Sequence, residues 1–373
     1  METLKEAFDM ASPSFSNLLR SLNPNLLIYD FLQPWAPLVA SSQNIPAIQF
    51  LTLGAASSSY YYQMCKNLAP VEFAFPSIFL HEYELQKFVR LLHSDPNSFT
   101  NKDRFVRCVN ESYSIILIKT FSDIEAKYVD YLSSLVGKEV LSVGPLVQEP
   151  IGDHTKQSKF IEWLGKKNQS SVVFVSFGSE YFMSKEEMEE LAYGLELSMV
   201  NFIWVIRFPE GEKIRVHDDG VLPQGFLERI GERGMVVEGW APQAEILGHS
   251  SIGGFVSHCG WSSMMESMKF GVPIIAMPMQ LDQPLNARLV VEIGVGMEVK
   301  STTGEGMFER EEVAKVIKEV VVGKEGEVVR RRAKEVSLKM REKGEEEIDI
   351  VVEKLLQLCD KSDNKKENLE EQM

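Results

Sequence analysis

The residues best suited to bind a ligand lie in the stretch from Trp240 to Gln283. Within it, residues 253–257 form a short run of small and apolar residues, which predicts a buried strand. The turn His258-Cys259-Gly260 follows, and Ser262 and Ser263 then lie where a helix would begin. Because a helix N-terminus carries unpaired N–H groups and partial positive charge, this turn suits a phosphate group.

Side chains near this turn could bind the other parts of a nucleotide. His258 and the two serines add imidazole and hydroxyl donors for a phosphate. Glu266 lies one helical turn further on, where its carboxylate could accept hydrogen bonds from ribose hydroxyls. Trp240 offers a flat face for a base, and Gln243 offers an amide for the edge of that base. These residues together indicate a nucleotide site at the end of a strand.

The same stretch resembles, nearly position for position, the signature sequence of plant family 1 UDP-sugar glycosyltransferases. It has the forty-four-residue length of that signature, its opening WAPQ, its central HCGW and its closing DQ. The resemblance implies an α/β fold of the GT-B type, with two Rossmann-like domains. It also implies an inverting, metal-independent enzyme that transfers a sugar from a UDP-sugar to a small molecule of plant origin, with no cofactor besides this co-substrate.

The resemblance gives each residue of the signature a role. Trp240 would stack on uracil, Gln243 and the backbone of Ala241 would read the uracil edge, and Glu266 would bind ribose. The diphosphate would be held by His258, Ser262 and Ser263, and the sugar would face Trp261, Asp282 and Gln283. A glutamine at the end of the signature favours UDP-glucose as the donor, because relatives that use UDP-galactose more often have histidine there.

One residue of the signature departs from the family pattern. Ser262 stands where the family usually has asparagine, so a shorter hydroxyl replaces an amide donor. A lost hydrogen bond to a charged group costs about 1.5–3 kcal/mol when nothing replaces it.

Two further segments resemble the family outside the signature. Ser179, in FVSFGSEYF, would touch phosphate, and Asp30, in LLIYDFLQPWAPLVASS, would be the second catalytic residue, which orients a histidine base. Both segments are similar to a subgroup that adds a sugar to an existing glycoside, such as that of a terpenoid or a flavonoid. We therefore expect UDP-glucose as donor and a glycoside or aglycone as acceptor.

The histidine base of the family has no counterpart ahead of Asp30. Only twenty-nine residues precede Asp30, and the first histidine is His81. We therefore expect an acceptor domain truncated at its N-terminus and a reduced turnover, because a general base contributes about 10²–10⁴-fold. The alternative hypothesis is a catalytically impaired paralogue or fragment that still binds nucleotide sugar.

The key residues also have purely structural interpretations. Trp240 could be a core residue, and His258 could be a capped histidine at a strand end. Asp282 and Gln283 could cap the next helix, and Asp30 could cap a helix as well. Their joint presence in one long motif favours ligand binding over these separate explanations.

Alternating strands and helices predict two parallel sheets. The acceptor-binding Rossmann-like domain would cover residues 1–148, followed by a linker over 149–169. The UDP-sugar-binding domain would cover 170–345, and a C-terminal helix and tail 346–373. Charged helices are expected over about 309–321, 325–342 and 345–359, with disorder from Asp360 onward.

Composition excludes several other classes of protein. The net charge of −15 argues against nucleic acid or an anionic membrane as a partner. The four cysteines form no CxxC pair, which indicates reduced thiols and no zinc site. No apolar run reaches the length of about 18 residues that a membrane span requires. The first residues, METLKEAFDMASP, have acids where a signal peptide would have a basic and then an apolar stretch. We expect a cytoplasmic monomer; the chain contains neither GxGxxG nor a P-loop motif.

Overall fold

Two compact units make up the chain. Unit 1 comprises Met1–Pro76, Leu85–Leu146 and Glu342–Met373, and unit 2 comprises Ser77–Glu84 and Val147–Arg341. Each unit is built on one parallel sheet, as the alternating pattern predicted. The computed structural model describes residues 2–66, 72–94, 99–147, 159–209, 211, 215–216, 218, 220–301 and 306–371.

Unit 1 contains a four-stranded sheet whose strands follow one another in chain order. All its strand pairs are parallel. Strand β3 is buried along its whole length, which is typical of a parallel sheet covered on both faces. The strands are β1 (Leu27–Tyr29), β2 (Ala47–Leu51), β3 (Ile115–Ile118) and β4 (Glu139–Ser142).

Seven helices lie between residues 2 and 136 of the described part of the chain. The first two are separated at Ala11, because α1 ends at Met10 and α2 begins at Ser12, with Pro13 in its first turn. The seven helices are α1 (Glu2–Met10), α2 (Ser12–Leu22), α3 (Ala36–Ser41), α4 (Ala55–Lys66), α5 (Glu82–His93), α6 (Asn101–Glu111) and α7 (Ser122–Val136).

Unit 2 contains a six-stranded parallel sheet with a crossover. Its strands are β5 (Val172–Ser176), β6 (Asn201–Ile206), β7 (Gly234–Glu238), β8 (Ile252–Ser257), β9 (Ile274–Ala276) and β10 (Gly296–Glu298). Their order across the sheet is β10-β9-β8-β5-β6-β7. The order in which successive strands are added across the sheet therefore reverses between β5 and β8, although all strands are parallel. This is the switch point where doubly wound sheets bind ligands.

The helices of unit 2 pack on both faces of this sheet. Strand β5 shows why, since Val173 and Val175 face one apolar cluster while Val172 and Phe174 face the other. The helices are α8 (Lys159–Leu164), α9 (Lys185–Ser198), α10 (Phe226–Ile230), α11 (Gln243–Leu247), α12 (Trp261–Phe270), α13 (Gln283–Ile293) and α14 (Arg310–Val322), with a 3₁₀ turn at Gly231–Arg233. Of the predicted linker, residues 149–158 lie outside the described residues.

The C-terminal part of the chain corrects the sequence-based expectation. Instead of two helices and a disordered tail, one helix, α15, runs from Lys324 to Glu371. The helix continues through Gly344, which lies next to Gly144 and Pro145. Within the described part of the chain, no helix is long and apolar enough to cross a membrane.

Candidate functional site

The predicted strand, turn and helix are present at the switch point of unit 2. Strand β8 ends at Ser257, and Gly260 is the N-cap of α12 with an extended backbone. Between them, Cys259 is fully buried and has a φ of 65°, in the left-handed region that non-glycine residues rarely adopt. Such strain is concentrated at functional sites, where surrounding structure stabilises it. The first N–H groups of α12 have no acceptor within the helix and can bind an anion.

A cavity of about 240 Å³ lies at this turn. It is bordered by the loop after β5, by the start of α12 and by the start of α13. Six of its lining residues are Gly178, Ser179, His258, Ser262, Ser263 and Gln283. Ser179 and Ser262 are exposed there, so both hydroxyl groups can be reached from solvent. The structure therefore brings together the residues predicted to hold the diphosphate.

Two glycines leave the space that the His258 ring occupies. A Cβ atom on Gly260 would lie 2.5 Å from Nε2 of His258, and one on Gly178 would lie 2.9 Å from the same atom. Gly178 also has a φ of 75°, which disfavours any larger residue. The imidazole thus fits between the ends of β5 and β8 because neither glycine has a side chain.

Burial keeps the His258 imidazole neutral at physiological pH. It lowers the pKa of His258 to about 4, while the backbone of Ser176 acts weakly in the opposite direction. Nδ1 is buried and makes no hydrogen bond with any described residue. In the absence of ligand, His258 can therefore offer one N–H donor but no full positive charge.

Trp240 lies on the surface just after β7. Its side chain is 70% exposed, so the structure does not support a core role. Ala241, the next residue, is buried, so the backbone beside the Trp240 ring is held in the fold. A large aromatic side chain that is open to solvent can stack with a base.

A hydrogen-bond network links three residues of the predicted nucleotide site. Nε2 of Gln243 donates to Oε2 of Glu266 at 2.7 Å and to Oγ of Ser263 at 3.2 Å. The start of α11 is thereby tied to the first two turns of α12. No sequence pattern indicates this link, because it joins side chains from two helices.

The two residues that close the signature behave differently. Oε1 of Gln283 accepts hydrogen bonds from the backbone N–H groups of Met279 and Gln280, at 3.0 and 2.9 Å, and Gln283 lines the cavity. Asp282 is not among the cavity-lining residues; its Oδ2 accepts from Asn286 at 2.8 Å.

Asp282 and Asn286 stabilise the turn between β8 and α12 through hydrogen bonds. Asn286 also donates to the backbone carbonyl of Cys259 at 2.9 Å, and burial raises the pKa of Asp282 to about 6. Asp282 is the N-cap of α13, but its carboxylate makes no capping hydrogen bond. A helix-capping role therefore does not explain this residue, and its contact with a sugar stays a prediction.

Sequence reasoning missed several residues at the cavity. Glu180, Tyr181 and Gln280 also line it, and Tyr181 donates a hydrogen bond to Glu187 of α9 at 2.6 Å. Trp261, predicted to face the sugar, lines the cavity although it is almost fully buried. No group of three or more His, Cys, Asp or Glu side chains within the described ranges is placed to hold a metal ion.

Asp30 lies in unit 1, directly after β1. Its Oδ1 accepts a hydrogen bond from the backbone N–H of Leu32 at 2.7 Å, which stabilises the turn that follows the strand. Among the described residues, no hydrogen bond or ion pair joins Asp30 to a histidine. Its predicted role as the residue that orients a base stays a prediction.

These features define a class of protein. A doubly wound parallel sheet with a polar cavity and a helix N-terminus at its switch point is a Rossmann-like domain. The family model described as UDP-glucoronosyl and UDP-glucosyl transferase matches residues 139–331, just over half of the chain. The chain belongs to this family of transferases.

Two relatives from plants are similar over nearly the whole chain. UDP-glucosyltransferase 29 of Panax ginseng is 54% identical over 97% of this chain and 79% of its own length. Beta-D-glucosyl crocetin beta-1,6-glucosyltransferase of Gardenia jasminoides is 49% identical over 96% of this chain and 80% of its own length.

A solved structure has the same fold. Phytolacca americana UGT2, complexed with UDP-2fluoro-glucose and pterostilbene, superposes with a TM-score of 0.78 at 28% identity. The alignment covers 96% of this chain and 82% of the other. The expected GT-B type, with two Rossmann-like domains, is confirmed.

Proposed function

We propose that this protein transfers glucose from UDP-glucose to a hydroxyl group of a small-molecule glycoside, with inversion and without a metal ion. The observation that carries this proposal is the cavity at the N-terminus of α12, which His258 lines together with Ser262 and Ser263 at the switch point of unit 2. The Phytolacca protein, which has the same fold, forms a complex with UDP-2fluoro-glucose, and this likeness supports a UDP-sugar as donor.

The diphosphate of UDP would bind at the start of α12. The backbone N–H groups and hydroxyls of Ser262 and Ser263, the Ser179 hydroxyl and one imidazole N–H of His258 would donate to its oxygens. Because Ser262 is exposed at the cavity, its hydroxyl can take the place of the amide that relatives of the family more often have.

The nucleoside would lie between α11 and α12. Trp240 would stack on uracil, and the Ala241 backbone would contact the base edge. We assign Gln243 to the ribose together with Glu266, instead of to the uracil edge, because its amide already points to that carboxylate. Ribose hydroxyls could then donate to Glu266 and accept from Gln243.

The sugar would lie next to α13, where Trp261 and Gln283 line the cavity and Asp282 supports the turn. An acceptor oxygen would attack the anomeric carbon as the bond from that carbon to the UDP oxygen breaks. Negative charge develops on the departing diphosphate, and the α12 N–H groups would stabilise it without the need for a metal ion.

The acceptor hydroxyl must lose its proton during this step. Asp30 would orient a histidine base, but none of the described histidines is bonded to it. This observation keeps one alternative function open, a protein that binds UDP-sugar and transfers it slowly or not at all.

A glycoside acceptor is supported by similarity in sequence. The Gardenia relative, by its name, acts on a glucosyl crocetin and transfers glucose. Gln283 lines the cavity, and a glutamine at this end of the signature favours glucose in the donor.

Calorimetry with UDP and mass spectrometry of products would test the proposal together. We expect saturable UDP binding and a mass increase of one hexose when UDP-glucose is supplied with glucosides but not with the matching aglycones. UDP binding without any product would support the alternative function. Absence of UDP binding at millimolar concentration would overturn both.

A further inference from the structure

A second cavity, larger than the first, lies at the opposite edge of the unit 2 sheet. Its volume is about 360 Å³, and we call it the strand-start cavity. It is bordered by Ser170, just before β5, by Ile252 and Gly253 at the start of β8, and by Pro273, just before β9. Because parallel strands begin at one edge and end at the other, this cavity is separate from the candidate nucleotide site.

Three positively charged side chains of α15 surround the strand-start cavity. Arg330, Arg331 and Lys334 all line it, with Glu327 as the one carboxylate. An excess of positive charge is unexpected in a chain of net charge −15. Such a local excess attracts small anions at a distance of up to about 10 Å at moderate ionic strength.

One of these cations already has a structural role. The guanidinium of Arg330 donates to the backbone carbonyls of Val320 and Gly323, at 2.6 and 3.2 Å, where α14 ends. These bonds satisfy carbonyl groups that a helix C-terminus leaves open. The role of Arg330 is therefore explained without a ligand.

The other two cations are not explained in this way. Arg331 lies 3.7 Å from Glu335 in an exposed pair, which contributes little to stability. Lys334 makes no hydrogen bond or ion pair with any described residue. Both side chains can therefore turn toward a ligand without breaking a strong contact.

The floor of the strand-start cavity is apolar. Ile252 and Val321 are buried, and Pro273 adds a third hydrocarbon surface between them. A ligand that binds there must cover hydrocarbon and also reach the cations at the rim. A free phosphate ion would satisfy only the second requirement.

The surrounding helices restrict the charge of the ligand. Helices α12 and α14 both end near this cavity, since Gly271 follows α12 and Gly323 follows α14. A helix C-terminus carries partial negative charge, and Glu327 adds a full one. These groups oppose a ligand with several negative charges more strongly than a ligand with one.

We propose that the strand-start cavity binds a small organic monocarboxylate with an apolar body. Its hydrocarbon part covers Ile252, Pro273 and Val321, and its carboxylate pairs with Lys334 and Arg331. The site is independent of the proposed transfer reaction.

Isothermal calorimetry with trans-cinnamate as the probe tests this proposal. We expect saturable binding that persists with UDP present at saturation, because the two cavities lie at opposite edges of the sheet. Cinnamyl alcohol has the same body without the charge, and inorganic phosphate has charge without the body. Cinnamyl alcohol should bind at least about tenfold more weakly, because it loses a charge-assisted hydrogen bond. Phosphate should also bind at least about tenfold more weakly, because it buries no apolar surface.

Two charge-reversing variants give the matched comparison. Lys334→Glu should weaken cinnamate binding about tenfold or more, whereas Lys318→Glu, at an exposed lysine of α14 that does not line the cavity, should leave it unchanged. The proposal is overturned if cinnamate does not bind, if UDP displaces it, or if both variants bind it as well as the wild type.

Discussion

Two aromatic side chains of the candidate site are held in opposite ways. Trp240 is mostly exposed, so its ring contributes little to the folded core and is free to stack on a ligand. His258 is enclosed by Gly178 and Gly260, and burial keeps it neutral. Substitution of Trp240 should therefore change ligand binding with little effect on stability, whereas substitution of His258 should change both.

Replacement of Trp240 by alanine should weaken UDP binding by about tenfold to a hundredfold. Stacking of a base on an aromatic ring contributes about 1–3 kcal/mol. The melting temperature should hardly change, since the ring is exposed. Calorimetric titration of UDP measures the effect, with Trp240→Phe as a control that keeps most of the affinity. Unchanged affinity in the alanine variant would show that uracil binds elsewhere.

The stability conferred by His258 should decline as the solution is acidified. Its pKa falls from 6.5 to about 4 on burial, so between these values the unfolded chain binds a proton that the folded chain does not. The contribution is complete above pH 6.5 and is lost as pH falls toward 4. Urea unfolding should therefore show a larger difference between wild type and His258→Gln at pH 7 than at pH 4.5.

The stability conferred by Asp282 should depend on pH in the opposite direction, so this residue serves as an internal control. Burial raises its pKa from 3.8 to about 6, so the folded chain binds the extra proton in this range. Its contribution is complete below pH 3.8 and is lost as pH rises through 6. The wild type should thus lose its relative advantage over Asp282→Asn as pH rises. Parallel trends for both variants would contradict these assignments.

At the scale of elements, the turn between β8 and α12 depends on the loop after β5. Gly178 belongs to that loop, yet its missing side chain is what allows the His258 ring to fit. The loop after β5 and the turn after β8 are therefore complementary in shape. A substitution in the loop should disturb phosphate binding at the turn.

A pair of glycine variants can test this dependence. Gly178→Ala and Gly137→Ala both place a side chain at a positive φ, 75° and 68°. A Cβ atom on Gly137 has no neighbour within 4 Å, whereas one on Gly178 meets His258. Both variants should lose about 1–2 kcal/mol of stability. Only Gly178→Ala should also weaken UDP binding in calorimetry; equal UDP affinity in the two would refute the coupling.

The elements themselves could largely be predicted from the sequence. The strand predicted over residues 253–257 is present as β8, because a parallel strand buried on both faces needs a continuous run of small and apolar residues. The turn at His258 was predicted because residues 258–260 follow a predicted strand and because Ser262 and Ser263 lie where a helix would begin.

Other features depend on contacts between distant parts of the chain. The bond from Gln243 to Glu266 and the turn of Asp282 toward Asn286 follow from side-chain rotamers, which periodicity does not specify. Helix α15 also continues through Gly344, which lies next to Pro145. Isolated helix propensity disfavours glycine there, so the sequence alone indicated a break.

At the scale of the whole molecule, each compact unit includes a segment that is remote in sequence. Ser77–Glu84 belongs to unit 2, where both carboxylate oxygens of Glu84 accept from the Arg288 guanidinium at 2.9 and 3.0 Å. Arg288 also pairs with Glu298 and lies over the Phe79 ring, 5.0 Å from its centroid. Buried charge thus joins this segment to α13 and β10.

Loss of Arg288 should destabilise unit 2 strongly. Arg288→Met leaves two carboxylates without their cation, and breaking a buried pair costs about 3–5 kcal/mol. Burial already raises the pKa of Glu298 to about 6, so acidification should reduce the deficit by neutralising carboxylates. Urea unfolding at pH 5 and 8 measures both effects. Arg310→Met removes a half-exposed pair and should cost at most about 1 kcal/mol.

The end of α15 should be equally important for unit 1. Val351 is 6% exposed and packs in one apolar cluster with Ile48 and Ile115, while its neighbour Val352 is 46% exposed. Val351→Asp should cost more than about 3 kcal/mol, because it buries an unpaired charge. Val352→Asp should stay within about 0.5 kcal/mol in the same urea titration. Similar losses in both would show that this helix is not packed on the sheet.

The interleaving of segments has a practical consequence for the design of chimaeras that exchange acceptor specificity between related enzymes. A single crossover near Val147 would combine the first sheet of one parent with the last thirty-two residues of the other, although these pack together in unit 1. It would also pair Glu84 and Arg288 from different parents. Hybrids should therefore take residues 77–84 from the parent that supplies unit 2 and residues 342–373 from the parent that supplies unit 1. The core of each unit then comes from a single parent.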